Sequence, residues 1–325
     1  MTEVIETKNL TKKYGNFYAV KDLNLKIKEG EVFGFLGPNG AGKTTTIAML
    51  IGILYPTGGS VKLFGRELSE GYFDLKRKIG VVSEQQYMYN QMTAYEYLLF
   101  FSELYRVKNK KERINELLKF VELYEFRNKR LKEYSKGMRQ KISISRALIH
   151  DPDILFLDEP AYGLDPAGVK EVRDIIFKQK DSGKTIFMSS HILSEVEKIC
   201  DSVGIIHKGE LIKKDSMENL RKQGTQGMEL KIELNKINQK IIDSLKEFDF
   251  IEDIEVSEVN EATSGGKDNQ NKNLLKINTI GDHRAEISGC IFKNNGLIVG
   301  MSTEKATLED VFVELTRDRA GGDAE

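Results

Sequence analysis

The sequence predicts an α/β domain with a helical insert, followed by a small α+β domain. Three observations carry the prediction. The first is the stretch Gly37-Pro38-Asn39-Gly40-Ala41-Gly42-Lys43-Thr44, which fits G-x-x-x-x-G-K-[ST]. A β-forming run, Glu31-Val32-Phe33-Gly34-Phe35-Leu36, precedes it, and a helical pattern over residues 44–53 follows. The second is the further alternation of apolar strand-like runs with helical periodicities to about residue 222. The third is the order strand, helix, strand, strand, helix, strand beyond residue 228, which is the ferredoxin-like order.

The glycine loop needs its residue types for chemical reasons. Glycine at 37, 40 and 42 lets the backbone curl, so that successive N–H groups face inward and cradle phosphate oxygens. The helix that opens there points the positive end of its dipole at the same phosphates. Lys43 can reach the β- and γ-phosphates, and the Thr44 hydroxyl can meet a magnesium ion. A chance glycine turn would lack the strand before and the helix after. The stretch reads as a nucleotide-binding P-loop.

Composition bounds the rest. The 325 residues suggest about two domains, and 40% apolar residues are enough for a proper core. The net charge of −1 gives no global basic field that would favour nucleic acid. Cys200 and Cys290 are far apart and form no metal or redox spacing, so both read as free buried thiols. Met1-Thr2-Glu3-Val4-Ile5-Glu6 does not read as a signal peptide. Apolar runs such as residues 47–55 fall short of the roughly 20 residues of a membrane span. If the chain works at a membrane, it docks to something that spans it.

Residues 4–36 alternate strand-like runs with turns, and Lys12-Lys13-Tyr14-Gly15 reads as one of the turns. Tyr14 there is either a half-buried strand aromatic or a platform for adenine. Tyr55-Pro56-Thr57-Gly58-Gly59-Ser60 breaks the helix after the P-loop, and Val61-Lys62-Leu63-Phe64 reads as a strand. A short helix over 74–78 leads to the buried strand Ile79-Gly80-Val81-Val82 and the polar loop Ser83-Glu84-Gln85-Gln86. Thr93-Ala94-Tyr95-Glu96 is a capping-box start. A second helix over 111–124 has Ile114, Leu117, Leu118 and Val121 on one face. Residues 90–133 therefore read as the insert, with Tyr95, Tyr97, Phe100 and Phe101 as core.

Ser135 is an N-cap for the next helix, which runs to about residue 149 and closes the helical part at about 90–150. The strand Ile154-Leu155-Phe156-Leu157 delivers Asp158 and Glu159 at its carboxyl end, where open α/β sheets bind ligands. Two carboxylates closing an apolar strand are costly to bury unless they meet a cation. Asp158 on magnesium and Glu159 on a water is the economical reading. The strand Thr185-Ile186-Phe187-Met188 ends in Ser189-Ser190-His191 and brings His191 to the same edge. Residues 203–214 read as a hairpin closing this domain. After the polar stretch 222–227, an accessory domain over 228–316 follows, with a polar hairpin tip at 261–273, a last helix at 308–316 and a frayed tail at 317–325.

Together these motifs resemble the ATP-binding subunit of an ABC transporter. The P-loop is similar to its Walker A motif and residues 154–159 to Walker B with its trailing glutamate. Tyr134-Ser135-Lys136-Gly137-Met138 resembles the signature, usually Leu-Ser-Gly-Gly-Gln, Gly163-Leu164-Asp165 the D-loop, and His191 the switch histidine. The resemblance covers residues 1 to about 220 closely. The later part, with Ala306-Thr307-Leu308-Glu309-Asp310-Val311-Phe312, is similar to the accessory domain of drug- and antibiotic-export ATPases that partner a separate ABC-2 type permease. Three departures stand out. Lys136 and Met138 replace Gly and Gln of the signature, Tyr162 stands where Ser is usual, and aligning on Ile79-Gly80 puts Glu84 at the usual glutamine of the Q-loop with Gln85 next. The alternative is a loop shifted by one, with Gln85 in that role and Glu84 solvated.

The resemblance implies a cassette that hydrolyses ATP with Mg2+ and pairs head to tail with a second ATPase subunit. Each ATP would lie between the Walker A of one subunit, with Thr45 and Tyr14 beside it, and Ser135, Gly137 and Asp165 of the other. Thr44, Asp158 and Glu84 would face the metal, Glu159 the attacking water and His191 the γ-phosphate, while Gln85 would couple to the permease. The subunit would sit at the cytoplasmic face of the membrane through the permease, with no nucleic acid as partner. A soluble ABC-type ATPase acting on ribosomes or DNA, or an importer subunit, is the other reading. One Walker A and no heptad run speak for the transporter.

Overall fold

The structure is a computed structural model and describes residues 2–68, 72–224, 228–259 and 272–305. The chain divides into two compact units, Met1–Met217 and Glu218–Glu325. The first opens with β1 (Glu3–Tyr14), β2 (Phe17–Lys28), β3 (Val32–Leu36), α1 (Lys43–Leu50), β4 (Gly58–Leu63), β5 (Arg66–Glu67), α2 (Tyr72–Lys76) and β6 (Ile79–Val82). It continues with α3 (Ala94–Leu104), α4 (Lys110–Phe120), α5 (Lys136–Leu148), β7 (Ile154–Asp158), α6 (Pro166–Asp181), β8 (Thr185–Ser190), α7 (Leu193–Ile199), β9 (Ser202–His207) and β10 (Glu210–Ser216). Helix α8 (Met217–Gly224) follows.

Two sheets build the first unit. One is antiparallel, in the order β2-β1-β4-β5. Its strands alternate: Leu23, Leu25 and Ile27 point inward, while Asn24, Lys26 and Lys28 face solvent, as expected of a sheet wetted on one face. The other has six strands in the order β10-β9-β3-β8-β7-β6, parallel except for the β9–β10 hairpin at its edge. Here β3, β7 and β8 are buried at every residue, so Ile154–Leu157 and Ile186–Met188 read as apolar runs, with polar residues only at the strand ends. Phe187 sits at the centre, with ring centroids 5.5 Å from Phe33, 5.4 Å from Phe35 and 5.7 Å from Phe156.

The helical part forms as its caps dictate. Thr93 accepts from the Glu96 amide, and Glu96 returns the bond to the Thr93 amide at 2.8 Å, the reciprocal box that starts α3. Helix α4 buries Ile114, Leu117 and Leu118, and Val121 just beyond it is buried too. Ser135 caps α5, accepting from the Met138 amide at 3.2 Å.

The second unit runs β11 (Met228–Leu234), α9 (Gln239–Lys246), β12 (Ile251–Val259), β13 (Lys272–Thr279), α10 (Arg284–Lys293) and β14 (Ile298–Lys305). The sheet order β12-β13-β11-β14, antiparallel throughout, is the ferredoxin-like arrangement. Its core joins Leu230, Ile232 and Leu234 of one central strand to Leu275 and Ile277 of the other, covered by Ile241, Leu245, Ile287 and Ile291 of the helices.

Some expectations are corrected. Lys12, Lys13 and Tyr14 are not a turn but the end of β1, which pairs Tyr14 with Phe17 across a hairpin at Gly15 and Asn16. Cys200 is buried, and burial pushes its thiol well above the usual range, but Cys290 is only half-buried. Of the insert's aromatics only Tyr97 is buried; Tyr95 and Phe101 are half-buried and Phe100 is exposed. The expected hairpin tip lies outside the described residues except for Lys272 and Asn273, which belong to β13. The expected helix at 308–316, the segment 306–312 and the tail lie wholly outside them.

Candidate functional site

Parallel pairing gathers the site. Leu36 of β3 lies beside Ser190 of β8, Ser189 beside Asp158 of β7, and Leu157 beside Val82 of β6. The carboxyl ends of four strands thus deliver the glycine loop, Asp158 and Glu159, His191, and the loop carrying Glu84 to one sheet edge.

The glycines of the loop do different things. Gly40 and Gly42 take φ of 80° and 107°, the left-handed region that favours glycine. A Cβ on Gly42 would also stand 2.3 Å from the Ala19 carbonyl oxygen. Gly37 is not left-handed; a side chain there would stand 2.4 Å from the Ile206 carbonyl oxygen, so it is needed for packing. Gly42 caps α1 without any side-chain bond, and the first amides of that helix remain free of a side-chain acceptor.

Lys43 is buried and held on three sides. Its ammonium donates to the carbonyls of Gly37 at 2.7 Å and Pro38 at 3.2 Å, and lies 3.2 Å from Glu159 Oε1. That carboxylate oxygen is buried with no hydrogen bond of its own, so the pair is ionic contact without good donor geometry. The other oxygen, Glu159 Oε2, is 2.7 Å from His191 Nδ1 and 3.3 Å from the His191 amide. Glu159 and Lys43 are only 8% and 6% exposed, so each needs the other to offset its desolvation. Glu159 also has a positive φ of 47°, the kind of local strain that a well-determined site can hold.

These groups line a cavity of about 450 Å³. Its wall includes Asn39, Gly40, Gly42, Lys43, Thr44 and Thr45 of the loop, Glu159 and His191 of the strand ends, and Glu84. Tyr14 and Phe17, the half-exposed to exposed pair at the hairpin end, stand at its rim. Gly37, Pro38, Ala41 and Asp158 do not line it. Asp158 is buried and its Oδ1 accepts from the Ser189 hydroxyl at 2.5 Å. Gln85 turns elsewhere: its side-chain oxygen accepts from the Tyr87 hydroxyl at 2.7 Å.

Ser135, Gly137 and Asp165 are not in this cavity. They line a second one, of about 550 Å³, where α5 and α6 begin. Asp165 caps α6, accepting from the Gly168 amide at 3.0 Å. Among the described residues no group of three His, Cys, Asp or Glu could hold a metal by itself. The donors at the P-loop edge, Thr44, Asp158 and Glu84, are all oxygen, which suits a hard cation shared with phosphates.

Two participants escaped the sequence. Ser189 is fully buried and bridges the two carboxylate residues, donating to Asp158 and accepting from the Glu159 amide at 2.9 Å. Its only signal was a pair of serines before His191. Tyr162 lines the cavity beside His191; the unusual residue at that position was visible, but its contact was not.

Residues 20–162 match the family model described as ABC transporter. The chain is similar to the bacitracin transport ATP-binding protein BcrA of Bacillus licheniformis, at 36% identity over 316 residues, covering 97% of this chain and 98% of that one. A solved ATP-binding subunit of an ABC transporter superposes with a TM-score of 0.62 at 31% identity, covering 68% of this chain and 92% of the other. An ATP-binding cassette solved as a dimer in a post-hydrolysis state with ADP and Pi superposes with a TM-score of 0.60 at 28% identity, covering 66% and 98%.

Proposed function

The chain belongs to the ABC transporter ATP-binding family, and from that premise we propose how its residues serve an ATP-hydrolysing export subunit. The observation that carries the proposal is the line Lys43–Glu159–His191 at the mouth of the glycine loop, with Glu159 Oε1 3.2 Å from Lys43 and Oε2 2.7 Å from His191. Phosphates entering the loop offer Lys43 oxygens with more charge than the carbonyls it now holds. As the ammonium turns to them, Glu159 loses its cation and keeps its bond to His191. The carboxylate is then free to accept from a water aimed at the terminal phosphate. His191 fixes the direction in which Glu159 points.

The loop amides and the α1 N-terminus bind the phosphates, and Tyr14 stacks on the base. Thr44, Asp158 and Glu84 are the residues that would hold magnesium, which when bound with the nucleotide neutralises phosphate charge. Ser189 keeps Asp158 and the Glu159 backbone in register. The second cavity, with Ser135, Gly137 and Asp165, meets the nucleotide of a second ATPase subunit. Among the described residues no helix is long and apolar enough to cross a membrane. We place the chain at the inner face of the membrane, docked to a separate permease of the ABC-2 type.

Glu159→Gln tests the reading. Steady-state ATPase activity should fall by about a hundredfold or more, while ATP binding by equilibrium titration is retained. The variant should gather as an ATP-bound dimer on a sizing column. Turnover at the wild-type rate would sink the assignment of Glu159.

A further inference from the structure

Tyr162 joins the two cavities of one chain. Its amide donates to the Glu159 carbonyl at 3.1 Å, closing a turn directly after that residue. Its ring meets the His191 ring edge-on, with centroids 5.7 Å apart and planes at 66°. The same ring carries Lys136, whose ammonium stands 5.0 Å from the ring centroid. Lys136 follows Ser135 at the start of α5 and lines the second cavity. Gly163, with φ 65°, leaves room for that ammonium: a Cβ there would stand 2.1 Å from Lys136 Nζ.

We propose that Tyr162 is a positioning residue for His191, and through it for the Glu159 carboxylate, and that Lys136 holds the Tyr162 ring in place. The His191 ring has two contacts that fix it, the bond to Glu159 Oε2 and the edge of Tyr162. It is 34% exposed, so water competes for the ring. An edge-to-face ring pair limits its rotation. A cation over the tyrosine ring limits the partner in turn. Lys136 and Tyr162 thereby tie the start of α5 to the phosphate cavity within one subunit. A change at the start of α5, such as the approach of a second subunit's phosphates, would be felt at His191 through two side chains.

A rim aromatic that merely contacted nucleotide would behave differently. It would act on ATP affinity, and it would act without reference to Lys136. The geometry predicts an effect on turnover, dependent on the ring and shared with Lys136. Tyr162 is 49% exposed, so its replacement leaves the core intact.

The test uses the full chain, with ATPase kinetics and equilibrium ATP titration side by side. Tyr162→Ser should lower kcat about three- to tenfold, with ATP affinity changed less than about twofold. Tyr162→Phe keeps the ring and should recover most of the turnover lost in Tyr162→Ser. Lys136→Gly should lower kcat by a smaller factor, and that factor should vanish in the Tyr162→Ser background. Equal losses in the Ser and Phe variants, a loss in affinity with kcat unchanged, or independent effects of Lys136 and Tyr162 would each overturn the proposal. It rests on the roles given to Glu159 and His191, and Glu159→Gln separates the failures. If Glu159→Gln keeps its turnover, both readings fall. If it is inactive while Tyr162→Ser keeps full kcat, only the role of Tyr162 falls.

Discussion

The P-loop cavity and the cavity where α5 and α6 begin differ in how their polar groups are satisfied. In the first, Lys43 and Glu159 are buried and answer each other and the loop carbonyls. In the second, Ser135 and Asp165 are exposed, and each is engaged in capping its own helix. The first holds a cation, a carboxylate and a histidine. The second offers two capped helix starts lined by both signs of charge, Lys136 with Asp165 and Glu122, and Lys141 paired to Glu171 at 2.7 Å, and it has no glycine loop. The two share no lining residue. On the proposed reading each is half of a site: one half would bind phosphates and orient water, and the other would present its helix starts to an anion supplied by a second subunit.

The largest effect that would break this comparison comes from Ser135→Arg. The change puts a bulky cation on the exposed half while leaving the buried half untouched. ATP binding to the single subunit should persist, and turnover should fall by about a hundredfold or more. Mixing Ser135→Arg subunits with Lys43→Ala subunits sharpens the test. One face of the mixed dimer is then altered twice and the other is wild type, so activity should return on mixing. A mixture as inactive as its components would break the two-halves reading.

A smaller effect follows from Lys43→Ala on the buried half. Among the described residues that line the cradle it removes the lysine, so nucleotide affinity should fall roughly 10- to 100-fold, as expected for a lost charged bond. It also leaves Glu159 as a buried carboxylate whose remaining partner among the described residues is His191. Urea unfolding should show a loss of about 1–3 kcal/mol, and adding Glu159→Gln should restore most of it without restoring affinity. If stability is unchanged by Lys43→Ala, the ion pair is not what holds Glu159.

What the sequence shows of these halves depends on how local the cause is. The glycine loop, the Thr93–Glu96 box and the Ser135 cap are legible because one short stretch contains both partners of each interaction. The β-α-β-β-α-β order is legible because periodicity alternates cleanly there. Lys12-Lys13-Tyr14-Gly15 has the composition of a turn, but pairing with β2 carries the strand through to Tyr14. Ser189 and Tyr162 were opaque for a different reason. Their partners come from elements far apart in the chain: Ser189 meets Asp158 only because β7 and β8 pair in parallel at that residue, and Tyr162 meets Lys136 at the start of α5 and His191 after β8. Nor does composition tell that Gly37 is demanded by the Ile206 carbonyl, 169 positions later in the chain, rather than by its own φ.

The smallest effect concerns the loop between β6 and α3, where the buried half meets the helical part. Glu84 is exposed and lines the P-loop cavity, whereas Gln85 bonds Tyr87 and does not line it. A carboxylate beside a magnesium ion binds it more strongly than an amide, because charge adds to the oxygen donor. It also repels the terminal phosphate when the metal is scarce. Glu84→Gln should therefore shift the magnesium dependence of turnover modestly, by about two- to threefold in half-saturating concentration, and leave maximal turnover nearly intact. Gln85→Ala should leave that dependence alone and weaken stimulation of the ATPase by the permease, since its side chain faces Tyr87, which is 84% exposed. The two measurements separate cleanly, one on the isolated chain and one in the presence of the membrane partner. If Gln85→Ala alters magnesium dependence and Glu84→Gln does nothing, the loop shifts by one residue when nucleotide binds, and Gln85 rather than Glu84 belongs to the phosphate half.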